Sequence, residues 1–177
     1  MTWILHDQSF PPIVAEIEKE LKSLSHRGTA VIAGGFLDEL LMQAIKSHVR
    51  YAQSPSLAKK MLFDVAMPLN STDAKINLGV LLGLYREEIW EDLRSVNTIR
   101  NAFAHTLECR DFTFPKVSKK CEEFWSPKHV SLESVDGSYE PPPDDARGKF
   151  ILTVKILVAI LGLVIINPYI PPEPKFI

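Results

Sequence analysis

Apolar side chains recur at spacings of three and four residues along most of this chain, which is the pattern of amphipathic helices. Ile13, Ile17, Leu21 and Leu24 form the first such series after Pro11-Pro12, and Ser25 can cap the next helix. The predicted helices cover residues 11–24, 27–51, 55–63, 73–82, 87–105, a short stretch within 112–125, and 146–166. No convincing alternation typical of a strand appears. The pattern predicts an all-α bundle of about five or six helices.

Prolines and glycines divide this pattern near the end of the chain. Residues 126–148 contain Pro127, Gly137 and the run Pro141-Pro142-Pro143, which favours a long mobile loop before the last core helix. Four prolines in residues 167–177 exclude a helix there and predict an extended tail. The whole chain, 177 residues long, is expected to form a single all-α domain.

The helix predicted over residues 87–105 ends in the stretch RNAFAH, residues 100–105, and contains an unusual arginine. At about 100° per residue, Arg100 falls within the apolar stripe of this helix, in step with Val96 and Phe103. A polar flank runs beside the stripe and consists of Asn97, Asn101 and His105. An arginine on a buried face needs a carboxylate, an anion or water, because it cannot lose its charge.

Three partners for Arg100 stay open at the level of sequence. Asp38, at the margin of the apolar stripe of helix 27–51, is the natural carboxylate within the chain. Alternatively Arg100, Asn101 and His105 line an open cleft, where the arginine holds a phosphate and the histidine moves a proton. Residues five apart lie about 140° apart on a helix, so a two-fold dimer could bring Arg100 and His105 together. Asn97, Asn101 and Asp38 are the candidate binding residues beside them.

Composition limits the classes of function. The net charge of −2 provides no strongly basic field, and we find no convincing direct DNA-binding element. The two cysteines and the scattered histidines predict no metal site, and no cofactor is expected. The N-terminus does not resemble a secretory signal. Lys155 interrupts the apolar run 150–166, which favours a buried core helix over a membrane span. We therefore expect a cytoplasmic protein.

Four blocks of the sequence, in order, resemble the mannitol operon repressor (MltR/MtlR-like) family. They are RGTAVIAGGFLDELL (27–41), AMPLNSTDAKINLGVLLGL (66–84), IRNAFAH (99–105) and ARGKFILTVKILVAIL (146–161). The second block departs from the family pattern through Met67, Asn70 and the run Lys75-Ile76-Asn77. The resemblance implies a transcriptional regulator of the mannitol-repressor type. Because no DNA-reading element is evident, we expect it to act through protein partners.

RNAFAH also resembles the R-x4-6-H motif of the HEPN superfamily, all-α proteins of which many are metal-independent ribonucleases that work as dimers. This resemblance implies an HEPN-like bundle and an alternative function as an endoribonuclease. Arg100 would stabilise the phosphate in the transition state, His105 would act as general acid or base, and Asn101 would orient one of them. An RNA surface could be assembled from Lys59, Lys60, Arg94, Arg110, Lys116, Lys119 and Lys120. A protein partner or homodimer is therefore expected, and RNA is possible.

Overall fold

The structure is a computed structural model that describes residues 3–6, 13–48, 68–133 and 143–168. Its helices are α1 (Ile13–Ser23), α2 (His26–His48), α3 (Thr72–Leu81), α4 (Glu87–His105), α5 (Pro115–Glu123), α6 (Ser126–His129) and α7 (Ala146–Ile166). Two four-residue strands, β1 (Trp3–His6) and β2 (Val130–Glu133), pair in parallel with Trp3 opposite Val130.

The predicted all-α bundle is confirmed, with six helices of nine residues or more among the described ranges. Two short strands accompany the helices in segments where the sequence shows no convincing alternation. Each strand has only four residues, too few to display an alternating pattern. Their pairing also joins distant parts of the chain, which local periodicity cannot reveal.

Within the predicted loop over residues 126–148, α6 and β2 occupy 126–133, whereas α7 begins at Ala146, where the last helix was predicted to begin. Pro127 lies in the first turn of α6, where its missing N–H removes no helical hydrogen bond. The middle of that loop, the helix predicted over 55–63 and the tail from residue 169 onward lie outside the described residues.

Polar side chains cap the starts of α2, α3 and α7. The Ser25 hydroxyl accepts from the Gly28 N–H at 3.1 Å, and the Ser71 hydroxyl accepts from the Ala74 N–H at 3.2 Å. The Asp145 carboxylate caps α7 by accepting from the Gly148 N–H at 2.8 Å. Gly83, just beyond the end of α3, has φ of 70°, a conformation that favours glycine.

Helices α2 and α7 are central: α2 packs against α1, α3, α4 and α7, and α7 also contacts α1, α4, α5 and α6. The prediction that residues 150–166 form a core helix is confirmed, since Phe150, Val154 and Leu157 are fully buried. Both α2 and α7 are long and apolar enough to cross a membrane, a property that core helices of soluble proteins share. Rings of Phe103 and Phe150 lie 4.9 and 5.0 Å from that of Phe112, which joins α4 to α7.

Two arginines tie helix ends to distant segments through backbone carbonyls. Arg27 on α2 donates to the carbonyls of Thr106 at 3.4 Å and Cys109 at 3.2 Å, just beyond the end of α4. Arg147 in the first turn of α7 donates to the Leu24 carbonyl at 2.7 Å and to the Leu21 carbonyl at 3.2 Å. The last carbonyls of a helix have no intrahelical partner, so Arg27 and Arg147 add charged hydrogen bonds at or near two helix ends.

Asp92 on α4 is a buried carboxylate with a structural role. It accepts from the backbone N–H of Trp125 at 2.9 Å and of Ser126 at 2.8 Å, and from the Ser126 hydroxyl. Burial raises the pKa of Asp92, although these hydrogen bonds oppose the shift. The carboxylate thus fixes the start of α6 against α4.

Both cysteines, Cys109 and Cys121, are free and buried, and burial raises the pKa of Cys121 to about 12. We therefore expect neither thiol to react with Ellman's reagent in the native protein at pH 8, because thiolate is the reactive form and the reagent has no access. Both should react fully in 6 M guanidinium chloride. Rapid native labelling of either thiol, measured by absorbance and located by mass spectrometry, would contradict this packing.

Candidate functional site

Arg100 lies where α4 crosses α2, and its aliphatic stem packs over Gly34. A Cβ placed on Gly34 would lie 2.6 Å from Cγ of Arg100, closer than two carbons can approach without movement. Glycine at position 34 therefore lets the Arg100 stem, and with it α4, approach α2 closely. Gly35, with no atom within 4 Å of such a Cβ, is open to the exterior.

The Arg100–Asp38 pair, one of the three alternatives, does not form. Asp38 instead receives Nζ of Lys75 at 2.6 Å and the hydroxyl of Thr72 at 2.8 Å, both from α3. Among the described residues, Arg100 makes no ion pair, and its Nη1 donates to Oδ1 of Asn101 at 2.8 Å. Lys75 is the better partner because it is nearly fully buried, with 6% of its side chain exposed, and so depends most on a carboxylate.

The three residues of the predicted polar flank have different surroundings. Asn97 is buried and donates from Nδ2 to Asp73 on α3 at 3.0 Å, which makes it a link between helices. Asn101 is half-buried and accepts from Arg100. His105 is exposed at the end of α4. Asp38, Thr72, Asp73, Lys75 and Asn97 together form what we call the polar seam between α2, α3 and α4.

An open cleft of about 470 Å³ lies between α4 and α5, on the exposed side of α4. Its floor is Trp90, held by a hydrogen bond from its indole N–H to Asn77 at 2.9 Å, with the Arg94 guanidinium 4.8 Å above the ring. Lys120 lines the opposite wall, so the cleft brings together two of the cations predicted for an RNA surface. Lys59 and Lys60 lie outside the described residues.

Trp90, Arg94, Asn101 and His105 share one face of α4, within about 60° around its axis. This face connects the cleft to the exposed imidazole at the end of the helix. Arg100 points from the adjoining face toward α2. Arg100 and His105 both lie on this helix, and as their spacing of five residues predicts, they do not converge on one point within a single chain.

Lys75 is the residue of this region that sequence reasoning missed. It precedes Ile76, which is buried, and lies one turn before Gly79, where a Cβ would meet the Tyr85 side chain. Lys75 is a charged residue on the buried side of its helix, and the same pattern identified Arg100 as a candidate. Within the described part of the chain, no group of three or more His, Cys, Asp or Glu side chains could hold a metal ion.

Comparison with solved structures gives one informative likeness. A chain of the X-ray structure of the MtlR-HPr complex from Escherichia coli superposes with a TM-score of 0.65, covering 86% of this chain and 99% of that chain. This chain has an MtlR-like fold. The sequences are 15% identical, so the likeness concerns the fold alone. No model of a protein family matches the sequence, and no curated protein matches it either.

A matched pair of substitutions tests the assignment of Asp38 to Lys75. Methionine retains an unbranched apolar stem and removes the charge. Lys75→Met should lower the free energy of unfolding by about 1–3 kcal/mol, because it leaves the half-exposed Asp38 carboxylate without its cation. Arg100→Met should change it by less than about 0.5 kcal/mol. Urea unfolding followed by circular dichroism measures both, and the reverse order of effects would mean that Arg100 is the structural cation.

Proposed function

We propose that this protein is a regulatory protein that acts by binding a protein partner, and that the partner resembles HPr. The observation that carries the proposal is the MtlR-like fold, which matches almost the full length of a chain from a structure of the MtlR-HPr complex. The resemblance of four sequence blocks to the mannitol operon repressor family supports the same class of function. Control of transcription would then be indirect and would take place in the cytoplasm.

The surface supports partner binding through apolar side chains. Val31 and Ile32 are exposed on α2, and Leu107, directly after α4, has 86% of its surface exposed. Arg27 lies one turn before Val31 and bonds the Thr106 carbonyl, so Leu107 lies beside the first turns of α2. We call Val31, Ile32 and Leu107 the α2 patch. Exposed apolar residues grouped in this way commonly mark protein-binding surfaces.

The proposal predicts direct association with purified Escherichia coli HPr, with a Kd of about 10 µM or tighter by isothermal titration calorimetry. Leu107→Asp should weaken binding by about tenfold or more, because it places a charge in the apolar contact. Leu81→Asp is the matched control, since Leu81 is 82% exposed on α3, away from this patch.

Both substitutions should leave the thermal unfolding temperature nearly unchanged, because both side chains are largely exposed. A wild-type protein that is folded and shows no heat of binding at 100 µM HPr would contradict the proposed partner. Equal weakening by both substitutions would contradict the proposed surface.

A second candidate function is a metal-independent endoribonuclease of the HEPN type, working as a homodimer. The observation that favours it is the state of Arg100: its guanidinium is oriented by Asn101 and bonded to no carboxylate among the described residues. A phosphate could take that position, with His105 of a second copy as general acid or base and the Trp90–Arg94 cleft as a path for the strand. This scheme requires the two copies to share the exposed side of α4.

The ribonuclease function predicts cleavage of single-stranded or structured RNA in the presence of EDTA. His105→Ala and Arg100→Ala should each reduce the rate by about 100-fold or more, because each removes a group that acts in the transition state. Arg86→Ala, an exposed arginine that precedes the same helix, is the control and should retain the rate.

DNA of the same sequence should not be cleaved, since it lacks the attacking 2′-hydroxyl. Products separated on denaturing gels give the rates. Absence of cleavage by micromolar wild-type protein, or equal activity in the His105→Ala variant, rules this function out.

A further inference from the structure

The open cleft between α4 and α5 is lined by charged groups that the packing of the bundle does not use. On the α4 wall, neither the Glu91 carboxylate nor the Arg94 guanidinium forms an ion pair with another described residue. On the α5 wall, Nζ of Lys120 lies 3.0 Å from Glu123, and Nζ of Lys119 lies 4.0 Å from the same carboxylate. Two cations therefore share one carboxylate on α5, whereas α4 presents a free carboxylate beside a free guanidinium.

We propose that this cleft binds a guanine nucleotide, with the base against the α4 wall and the phosphate toward the α5 wall. The chemistry is the same for a free nucleotide and for a guanosine within an RNA strand. For the strand, the inference rests on the ribonuclease function proposed above. For the free nucleotide, it is independent of both proposed functions.

The first argument is a platform for a planar ring. The indole of Trp90 is fixed by its hydrogen bond to Asn77 at 2.9 Å, and the Arg94 guanidinium lies 4.8 Å from the centre of the ring. A guanidinium is planar, so one face can cover the indole while the other receives a ligand. Nucleobases commonly stack on guanidinium planes and on aromatic rings. The platform selects a flat ring but does not distinguish one base from another.

The second argument is the carboxylate beside the platform, which does distinguish the bases. Glu91 precedes Arg94 by three residues, so their side chains are neighbours on the helix surface. An ionised carboxylate only accepts hydrogen bonds. Guanine offers it two adjacent donors, N1–H and the N2 amino group, whereas adenine, cytosine and uracil each place an acceptor beside every donor on that edge. Glu91 therefore favours guanine.

The third argument is the cation on the opposite wall. Lys120 has 41% of its side chain exposed and uses one hydrogen bond on Glu123, so its ammonium group retains donors for a phosphate. The charge of Glu123 is offset by the two lysines beside it. The cleft volume of about 470 Å³ lies within the usual range for sites that bind small molecules.

The experiment is isothermal titration calorimetry of the full chain with guanosine monophosphate (GMP) and adenosine monophosphate (AMP). The wild type should bind GMP with a Kd of about 100 µM or tighter, and AMP about tenfold more weakly or worse. Glu91→Gln should remove this preference, because an amide presents a donor in place of one acceptor. Glu108→Gln is the matched control: it removes the same charge just beyond α4, outside the cleft, and should retain the preference.

Arg94→Met tests the platform separately. It should weaken GMP and AMP by a similar factor of about five or more, because stacking on the guanidinium does not depend on the base. Equal affinity of the wild type for the two nucleotides overturns the proposal. So does a preference for GMP that survives in Glu91→Gln, or the absence of any heat of binding at 2 mM GMP.

A second titration distinguishes the two sources of guanine. It uses the His105→Ala variant, so that the strand stays intact, and His105 does not line the cleft. A hexanucleotide of five uridines and one guanosine that binds tenfold more tightly than GMP identifies RNA as the source, and equal or weaker binding identifies the free nucleotide. Cleavage of RNA by a wild type without preference for GMP would retain the ribonuclease function and overturn this inference alone.

Discussion

Close approach to α2 is the constraint on which the rest of the bundle depends. The helix packs against four others, and the residues it turns toward them include Ala30, Ala33 and Gly34, all buried. Such small residues let neighbouring backbones come near enough for dispersion contacts along the whole length of the helix. At Gly34 the space is filled by the stem of Arg100, so the position of the arginine is a result of helix packing as well as a candidate for chemistry.

The polar seam adds direction to this apolar packing. Apolar contacts are non-directional, whereas the Lys75 ammonium is satisfied only where the Asp38 carboxylate lies, and the Asn97 amide donates only where Asp73 lies. The link from α3 to Asp38 on α2 and the link from Asp73 on α3 to Asn97 on α4 together fix both the rotation of α3 about its axis and its position along that axis. Since these links use the carboxylate of Asp38, the Arg100 guanidinium has only the neutral Asn101 side chain as a hydrogen-bond partner among the described residues. The proposed ribonuclease function depends on this property.

The helices were predictable because each has a local cause. The signals are the spacing of apolar residues, the caps Ser25 and Ser71, and proline at helix starts. Each lies within a few residues of the helix that it determines. The errors concern partners that lie far apart in the chain. Whether Asp38 meets Lys75 or Arg100 depends on the relative rotation of three helices, and the β1–β2 pair brings Trp3 opposite Val130, far away in the sequence. The periodicity of apolar residues indicates which face of a helix is buried. It does not indicate which residues of another helix that face contacts.

Arg27 and Arg147 have a consequence for how the native state opens. Each joins the beginning of one helix to the carbonyls that end another, so neither helix end can fray without breaking a charged hydrogen bond elsewhere. Helix ends are usually the first places where amide hydrogens exchange with solvent. Here the end of α1 is coupled to the start of α7, and the end of α4 to the start of α2. Exchange at these termini would therefore follow cooperative opening of helix pairs rather than independent fraying.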